Sequence, residues 1–521
     1  MSLAVLLSRS LVGMDAPVVR VETHLAPGLP AFTMVGLADA EVRESRERVR
    51  AAIHSSGFAF PAGRLTVNLS PADLPKESGR FDLPIALGVL LASGQIDLSS
   101  SHATPGPVDA LSARVRAENQ HPLESWVLAG ELSLTGVLVP VAGAIAIALA
   151  VARSQPCATL VLPAENAAQA ARVPGLRVLV AHSLAGVVSH LRGQSALVPA
   201  VALPAAASPL ARSCLSDVRG QGVARRALEI AAAGGHSLLM TGAPGVGKSM
   251  LAQRLPGILP HLTETEALEV AAIAAFACER ETPWRVRPFR SPHHSATLAA
   301  VIGGGARPRP GEVTLAHRGV LFLDEIPEFD RRVLEGLREP LENRCVSIAR
   351  ALMRVEFPAD FQLIAAMNPC PCGWLGHPQR HCHCSREVVH AYQGRLSGPL
   401  LDRIDLVVTI ADTESNMLEL PPGETSAEVR ERVVQARTRQ TARQNALNSA
   451  MPAGMIDAHC ALDSGGRALM AQLLQRYRLS ARSIHRSLRV ARTCADLADS
   501  VAVGAVHLAE AFQYRIRSRS S

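Results

Sequence analysis

The sequence predicts an α/β core with a helical region after it and an α+β domain before it, and three observations predict that order. Ser237 to Thr241, Gly319 to Leu323 and Phe361 to Ala366 are continuous apolar runs separated by helical patterns, as strands buried on both faces of a parallel sheet should be. From Ser426 onward no strand signal remains. Ser426 to Ala446, Ser464 to Arg476, Ser480 to Ala498 and Val503 to Tyr514 each open at or near a capping residue or turn and repeat at helical spacing. Gln194 to Ala211 is rich in Ala and Pro and carries no charge, which marks an interdomain linker. Before it, the short β-rich runs Pro17 to Glu22, Leu65 to Leu69 and Leu176 to Val180 alternate with apolar helical stretches, an α+β pattern.

At roughly 150 residues per domain, 521 residues make room for about three or four domains. Apolar residues at 48% and charged ones at 19% exclude wholesale disorder and fibrous architectures. The run Leu3 to Leu7 is too short for an export signal, and Arg9 follows it instead of preceding it. Val137 to Ala152 falls short of the ~20 apolar residues of a membrane span and contains Pro140, so a buried core helix is expected there and no membrane partner. Ten cysteines without export fit a reducing, cytoplasmic location.

Aromatic residues at 3% argue against base stacking as the main mode of recognition, which leaves charge to be examined. The formal net charge is +7, and of 53 basic residues only Lys76 and Lys248 are lysine. From Arg476 to Ser521 nine arginines face only Asp496, Asp499 and Glu510. That excess reads either as a polyanion-facing surface or as solvated helix faces.

Directly after the run ending at Thr241 comes Gly242-Ala243-Pro244-Gly245-Val246-Gly247-Lys248-Ser249, and a helix follows. This is a complete phosphate loop in the context it requires, so ATP and magnesium are the expected cofactors. Its glycines let backbone amides curl around phosphate, Lys248 reaches the β and γ phosphates, and Ser249 offers a hydroxyl to Mg2+. The run Gly319 to Leu323 delivers Asp324 and Glu325 at its end, where ligands bind on open α/β sheets. Asp324 is expected to hold the magnesium and Glu325 to orient and activate water, although adjacent acids also cap helices. Phe361 to Ala366 leads to Asn368, whose amide can hydrogen-bond the γ phosphate or the attacking water.

These pieces, with Asp217-Val-Arg-Gly-Gln221 upstream and the helical region downstream, resemble the AAA+ ATPases. Phe289-Arg-Ser-Pro-His-His-Ser295, Ile302-Gly-Gly-Gly-Ala-Arg-Pro-Arg-Pro-Gly311 and Leu315-Ala-His-Arg-Gly-Val-Leu-Phe-Leu-Asp-Glu325 narrow the resemblance to the magnesium-chelatase-like branch. Within it the chain is most similar, over essentially its whole length, to the ComM (YifB) family of bacterial DNA helicases. The resemblance implies an AAA+ three-layer phosphate-loop core over 212–424 with a C-terminal helical lid over 425–521. A linker over 194–211 and an α+β Lon-protease-like domain over 1–193 precede them. It also implies a homo-oligomeric ring, a hexamer, with active sites between subunits.

Ser397-Gly-Pro-Leu-Leu-Asp402-Arg403-Ile-Asp405 is similar to the segment that supplies the arginine finger in trans, which selects Arg403; an internal ion pair with Asp402 or Asp405 is the competing reading. Ser480-Ala-Arg482 matches the second sensor position, with Arg489 as the alternative. Val346 to Phe357 fits the pre-sensor hairpin that projects into the pore of related ring helicases. Arg350 and Arg354 near its tip, and Arg307 and Arg309 in the helix-2 insert, are then candidates for gripping DNA backbone phosphates without reading sequence; each alone also fits an ordinary surface charge.

Cys370-Pro-Cys372 and Cys382-His-Cys384, within an insert over 369–385, can close a tetrahedral structural zinc site. His377, His381 and His383 are alternative ligands, and a reduced, metal-free loop is the competing reading. The N-terminal region resembles the Lon protease domain at Pro75-Lys76-Glu77 and at Gly130 to Gly143, but departs from it where protease chemistry would lie. Ser78 is followed by Gly79-Arg80-Phe81-Asp82, and Ala144-Ile-Ala-Ile147 stands where the general-base lysine belongs. A non-proteolytic scaffold is expected.

Together these readings predict an ATP-driven DNA translocase or helicase acting on single-stranded or branched DNA. It would promote branch migration of recombination intermediates, as in natural transformation. The alternative is a chelatase-type motor that remodels a protein partner for magnesium insertion into a tetrapyrrole.

Overall fold

The computed structural model describes residues 2–36, 40–74, 76, 79–97, 123, 125–202, 213–277, 283–305, 308–350, 353–411, 420–477 and 480–515. Contacts divide the chain into two units, Met1–Ala206 with Ala271–Thr282, and Ala207–Val270 with Pro283–Ser521. Among the described residues no helix is long and apolar enough to cross a membrane. Ser78 and Arg307 lie outside the described residues, as does the side chain of Arg350.

The first unit is built on β1 (Ser2–Arg9), β2 (Val18–Ala26), β3 (Ala31–Val35), β4 (Arg64–Ser70) and β5 (Trp126–Leu128), with a short hairpin of β6 (Glu131–Leu132) and β7 (Leu138–Val139), then β8 (Thr159–Pro163) and β9 (Arg177–Ala181). The sheet order is β3-β4-β2-β1-β5-β8-β9, antiparallel from β1 through β4 and parallel toward both edges. Period-two alternation shapes β4, where Leu65, Val67 and Leu69 are buried and their neighbours are not. Asp82–Ala92 lies inside the core, buried at all but one position, which its nearly all-round apolar composition requires. Val137 to Ala152 is not one helix: Leu138–Val139 forms β7, Pro140 follows it before a turn at 142–143, and the helix starts only at Ala144. Part of the stretch expected as a linker is held against the sheet. Val180 N donates to the Val198 carbonyl (2.9 Å) and Ala200 N to the Val178 carbonyl (2.9 Å), so its first residues pair with the free edge of β9.

The second unit carries β10 (Leu238–Thr241), β11 (Phe289–Arg290), a small pair of β12 (Gly303–Gly304) and β13 (Arg309–Pro310), β14 (Val320–Leu323), a hairpin of β15 (Cys345–Arg350) and β16 (Met353–Pro358), β17 (Gln362–Met367) and β18 (Leu406–Thr409). Five of these make an all-parallel sheet in the order β11-β14-β17-β10-β18. The three apolar runs read from sequence are its central strands. Of the edge strands, β11 has only two residues, and β18, as long as β10, is masked in the sequence by its flanking charges. The parallel sheet and the helical C-terminal region match the core-and-lid architecture.

The helical region contains Ser426–Gln444, Ala453–His459, Ser464–Tyr477, Ala481–Leu497 and Ala505–Gln513. Thr425 and Glu428 close a capping box on the first, and Ser480 caps the fourth. Among the described arginines at this end some turn inward, whereas Arg476 and Arg482 are exposed. Arg486 and Arg492 are buried, and Arg515 donates to the Ile404 carbonyl (3.3 Å), so these three are withdrawn from any polyanion-facing surface. Buried Asp496 gathers Arg443 (2.7 and 2.9 Å), Asn448 (2.8 Å) and Arg492 (3.1 Å). Asp496→Ala strands two guanidinium groups and should destabilise this region by about 3–5 kcal/mol, read as a lower urea midpoint by circular dichroism; Asp496→Asn should lose less.

Candidate active site

Each central strand of the second unit ends at a residue of the site. After β10 the chain turns through Gly245 (φ +85°) and Gly247 (φ +91°), a left-handed backbone that favours glycine, into the helix Lys248–Ile258. The loop is tied to the neighbouring strand by Gly242 N donating to the Met367 carbonyl (3.2 Å). Lys248 is buried, and its Nζ donates to the carbonyls of Gly242 (2.7 Å) and Ala243 (2.8 Å) and to Asn368 Oδ1 (3.0 Å). Burial lowers its ammonium below the ordinary lysine value, against the opposing pull of Asp324 and Glu325.

Ser249 Oγ donates to Asp324 Oδ2 at 2.5 Å, which brings together two hard oxygen ligands at the end of β14. Asp324 Oδ1 accepts from the Glu325 amide (2.9 Å). Glu325 holds a left-handed backbone (φ +50°), unusual outside glycine, which turns an exposed carboxylate out of the strand end. The structure therefore brings Lys248, Ser249, Asp324, Glu325 and Asn368 to one sheet edge.

Sequence reasoning missed several neighbours of this cluster. His294 Nδ1 lies 3.7 Å from Glu325 Oε2, and Gln221 Nε2 donates to the Val246 carbonyl inside the loop (2.6 Å). Behind Asn368, Gln393 donates to the Pro369 carbonyl (2.9 Å), and burial pushes the Tyr392 phenol up to about 12. His294 and Gln221 lay within motifs used only for the resemblance, so their positions offered a signal that their residue types did not.

Cys370, Cys372, Cys382 and Cys384 have their Sγ atoms within 4.8 Å of one another. The Cys370–Cys372, Cys372–Cys382 and Cys370–Cys382 separations are 3.4, 3.5 and 3.6 Å. A tetrahedral site with Zn–S bonds of about 2.3 Å has edges of about 3.8 Å, so the cluster fits a metal held by four thiolates. Of the histidine alternatives, none joins this cluster among the described residues, and His377 Nδ1 accepts from the amides of Gln379 (3.1 Å) and Arg380 (3.0 Å). The cysteine loop also touches the phosphate loop. A Cβ at Gly373 would lie 2.5 Å from Pro244 Cδ and 2.7 Å from its Cγ.

Arg403 and Arg482 occupy the other sheet edge, along a groove of about 1360 Å³ where β10, β14, β17 and β18 begin. Arg403 donates to the Pro399 carbonyl (2.8 Å) and pairs with Glu342, not with Asp402 or Asp405. That hydrogen bond and charge, with Arg482 nearby, hold the Glu342 carboxyl below its ordinary value. Arg489, the alternative to Arg482, lines the same groove.

The predicted hairpin forms, with Val346, Ile348, Val355 and Phe357 buried on one face. Arg354 is exposed beside its turn, pairs with Ala349 and donates to Ser347 Oγ (2.9 Å). The β12–β13 pair, carrying exposed Arg309, packs close by, since a Cβ at Gly303 would lie 3.0 Å from Ile348 Cδ1.

Three stretches match family descriptions: residues 21–117 "Subunit ChlI of Mg-chelatase", residues 214–418 "Magnesium chelatase, subunit ChlI", and residues 423–515 "Magnesium chelatase, subunit ChlI C-terminal". The chain is 44% identical to the "Uncharacterized protein YifB" of Salmonella typhimurium and 44% to that of Escherichia coli, each over 100% of this chain and 98% of the relative. It is 42% identical to "Competence protein ComM" of Haemophilus influenzae, over 100% of this chain and 98% of the relative.

Since the Gly373 contact leaves no room for a side chain, Gly373→Val should displace Pro244 and weaken nucleotide binding. An increase in Kd for a fluorescent ATP analogue of about tenfold, or ~1.4 kcal/mol, is expected without loss of secondary structure.

Proposed function

The chain belongs to the ComM/YifB-type family of magnesium-chelatase-like AAA+ proteins, and from that premise we propose that it is an ATP-driven, ring-forming DNA translocase that branch-migrates recombination intermediates. The observation that carries the ring is the division of the site between two sheet edges. Lys248, Ser249, Asp324, Glu325 and Asn368 lie at one, whereas Arg403 and Arg482 lie at the other, so a complete site needs two copies. A hexamer is the reading that the resemblance favours.

Within such a site Gly242, Ala243, Pro244, Gly245, Val246 and Gly247 wrap the phosphates of ATP, and Lys248 exchanges its carbonyl contacts for phosphate oxygens. Ser249 and Asp324 hold Mg2+, which neutralises phosphate charge when bound. Glu325 orients water and takes its proton. Asn368, released from Lys248, hydrogen-bonds the terminal phosphate or the water. Arg403, with Arg482 beside it, is offered to the neighbouring copy's nucleotide. The four cysteines hold a structural zinc that braces the segment between Asn368 and the phosphate loop.

DNA enters through the competence name of a full-length relative and through exposed Arg354 and Arg309 on two adjacent hairpins. With Arg350 and Arg307 they supply guanidinium groups suited to backbone phosphates. The tetrapyrrole-partner alternative is not favoured. The N-terminal region serves as a non-proteolytic scaffold, and the protein works in the cytoplasm.

The test is migration of a synthetic four-way junction with ATP and magnesium. Wild type should exchange strands and Lys248→Ala should not; equal exchange by both would sink the motor reading. Arg403→Ala should lower ATP turnover roughly 10³-fold while binding nucleotide normally. Mixing Arg403→Ala with Lys248→Ala should restore part of the activity, because one mixed interface contains both intact halves. Elemental analysis should find one zinc per chain in wild type and none in a Cys370→Ser, Cys382→Ser double variant.

A further inference from the structure

Asp405 lies two residues after Arg403, and its surroundings have no part in the chemistry above. Its Oδ2 accepts from His236 Nδ1 (3.1 Å), and its Oδ1 lies 3.8 Å from Arg486 Nε. Burial pushes the Asp405 carboxyl upward, but the His236 hydrogen bond and the charges of Arg486 and Arg515 outweigh it and hold the group below its ordinary value. His236 is wholly buried, and its Nε2 lies 2.8 Å from Thr493 Oγ on the lid helix Ala481–Leu497. Thr493 Oγ also donates to the Arg489 carbonyl (3.0 Å) and accepts from Asn448 Nδ2 (3.0 Å). The contact is built tightly: a Cβ at Gly234 would lie 2.3 Å from His236 Nε2 and 2.6 Å from Thr493 Oγ.

His236 ends a rigid connection. The helix Gly222–Gly234 runs back to Gln221, whose Nε2 holds the Val246 carbonyl inside the phosphate loop. Thirteen residues at 1.5 Å rise span about 20 Å, enough to cross from one edge of the sheet to the other. The same helix packs against the lid through Arg432, which donates to Glu229 (2.6 Å), and through Arg437, which donates to the Ala232 carbonyl (2.7 and 2.9 Å).

We propose that His236, Asp405 and Thr493 are positioning residues that lock the Arg403 segment to the far end of this helix and to the lid, so that nucleotide at a subunit's own phosphate loop sets the arginine it presents to the next subunit. The proposal rests on the reading of Arg403 as a finger acting across a ring. A displacement of the phosphate loop would move Gln221, the helix would carry it without bending, and the His236 contacts would pass it to Ile404 and Arg403. A hydrophobic latch in place of the buried polar one would hold the parts together but would not fix one orientation, since hydrogen bonds between fixed donors and acceptors are directional.

The experiment uses full-length protein and two independent lesions distant from the phosphate loop, Thr493→Val and Gly234→Ala, with Thr493→Ser as the rescue. Circular dichroism and binding of a fluorescent ATP analogue establish folding and an intact phosphate loop. ATP turnover against ATP concentration should be sigmoidal in wild type and in Thr493→Ser, and lose its sigmoidality in the two lesions. In an Arg403→Ala background, amide exchange over 398–405 should still respond to a non-hydrolysable ATP analogue, and Thr493→Val should remove that response while leaving the one at 242–249. Wild-type cooperativity and exchange in both folded lesions would overturn the proposal. Wild-type turnover by Arg403→Ala would instead overturn the finger reading on which it rests.

Discussion

A parallel sheet has polarity, and that constraint organises everything in the second unit. All five strands point the same way, so every strand end opens on one edge and every strand start on the other. The glycines of residues 242–247, the paired acids and Asn368 accumulate at the first edge because loops leave the strands there. The second edge receives Arg403, Arg482 and the groove between core and lid. With β17 between β10 and β14, Asn368 falls between Lys248 and Asp324, and its amide reaches the ammonium at 3.0 Å. Within one chain the two groups of residues lie at opposite ends of the same strands, and the proposed association of copies is what would bring them together.

Much of this was legible in the residues. Central strands buried on both faces leave an unbroken apolar run, so β10, β14 and β17 could be found and with them the residues at their ends. Short edge strands such as β11, Phe289–Arg290, carry no such run. The four cysteines could be grouped from spacing because C-x-C pairs have few other uses. Conversely, Val137 to Ala152 misled because strand and helix share an apolar composition, and only Pro140 hinted at the break. The terminal arginines were ambiguous for a different reason: net charge does not reveal that Asp405 faces Arg486 and that buried Asp496 pairs with Arg492. His236 was invisible from sequence, since its partners are more than 160 residues away.

The two lysines mark two outcomes of burying an ammonium. Lys248 is surrounded by the carbonyls of Gly242 and Ala243 and by Asn368, oxygen partners that phosphate can replace. Lys76, also fully buried, donates to the Pro71 carbonyl, and burial lowers its ammonium below the ordinary value, against Asp73. A guanidinium is a rigid planar fork, wider than an ammonium, so the single acceptor at Lys76 and the tight convergent set at Lys248 both suit the compact cation better, although every other basic residue of the chain is arginine.

The contact between Gly373 and Pro244 makes the cysteine loop and the nucleotide loop a single mechanical part with two chemistries. Residues 374–381 bulge outward, with Trp374 stacked under Arg380 at 4.2 Å, and can vary in length at little expense to the fold. Residues 369–373 have no such latitude, because repacking there would press on Pro244 in the loop 242–249. On the proposed function, loss of the four-cysteine geometry, by oxidation or by competition for a bound zinc, would reach the nucleotide loop without any signal passing through the rest of the domain.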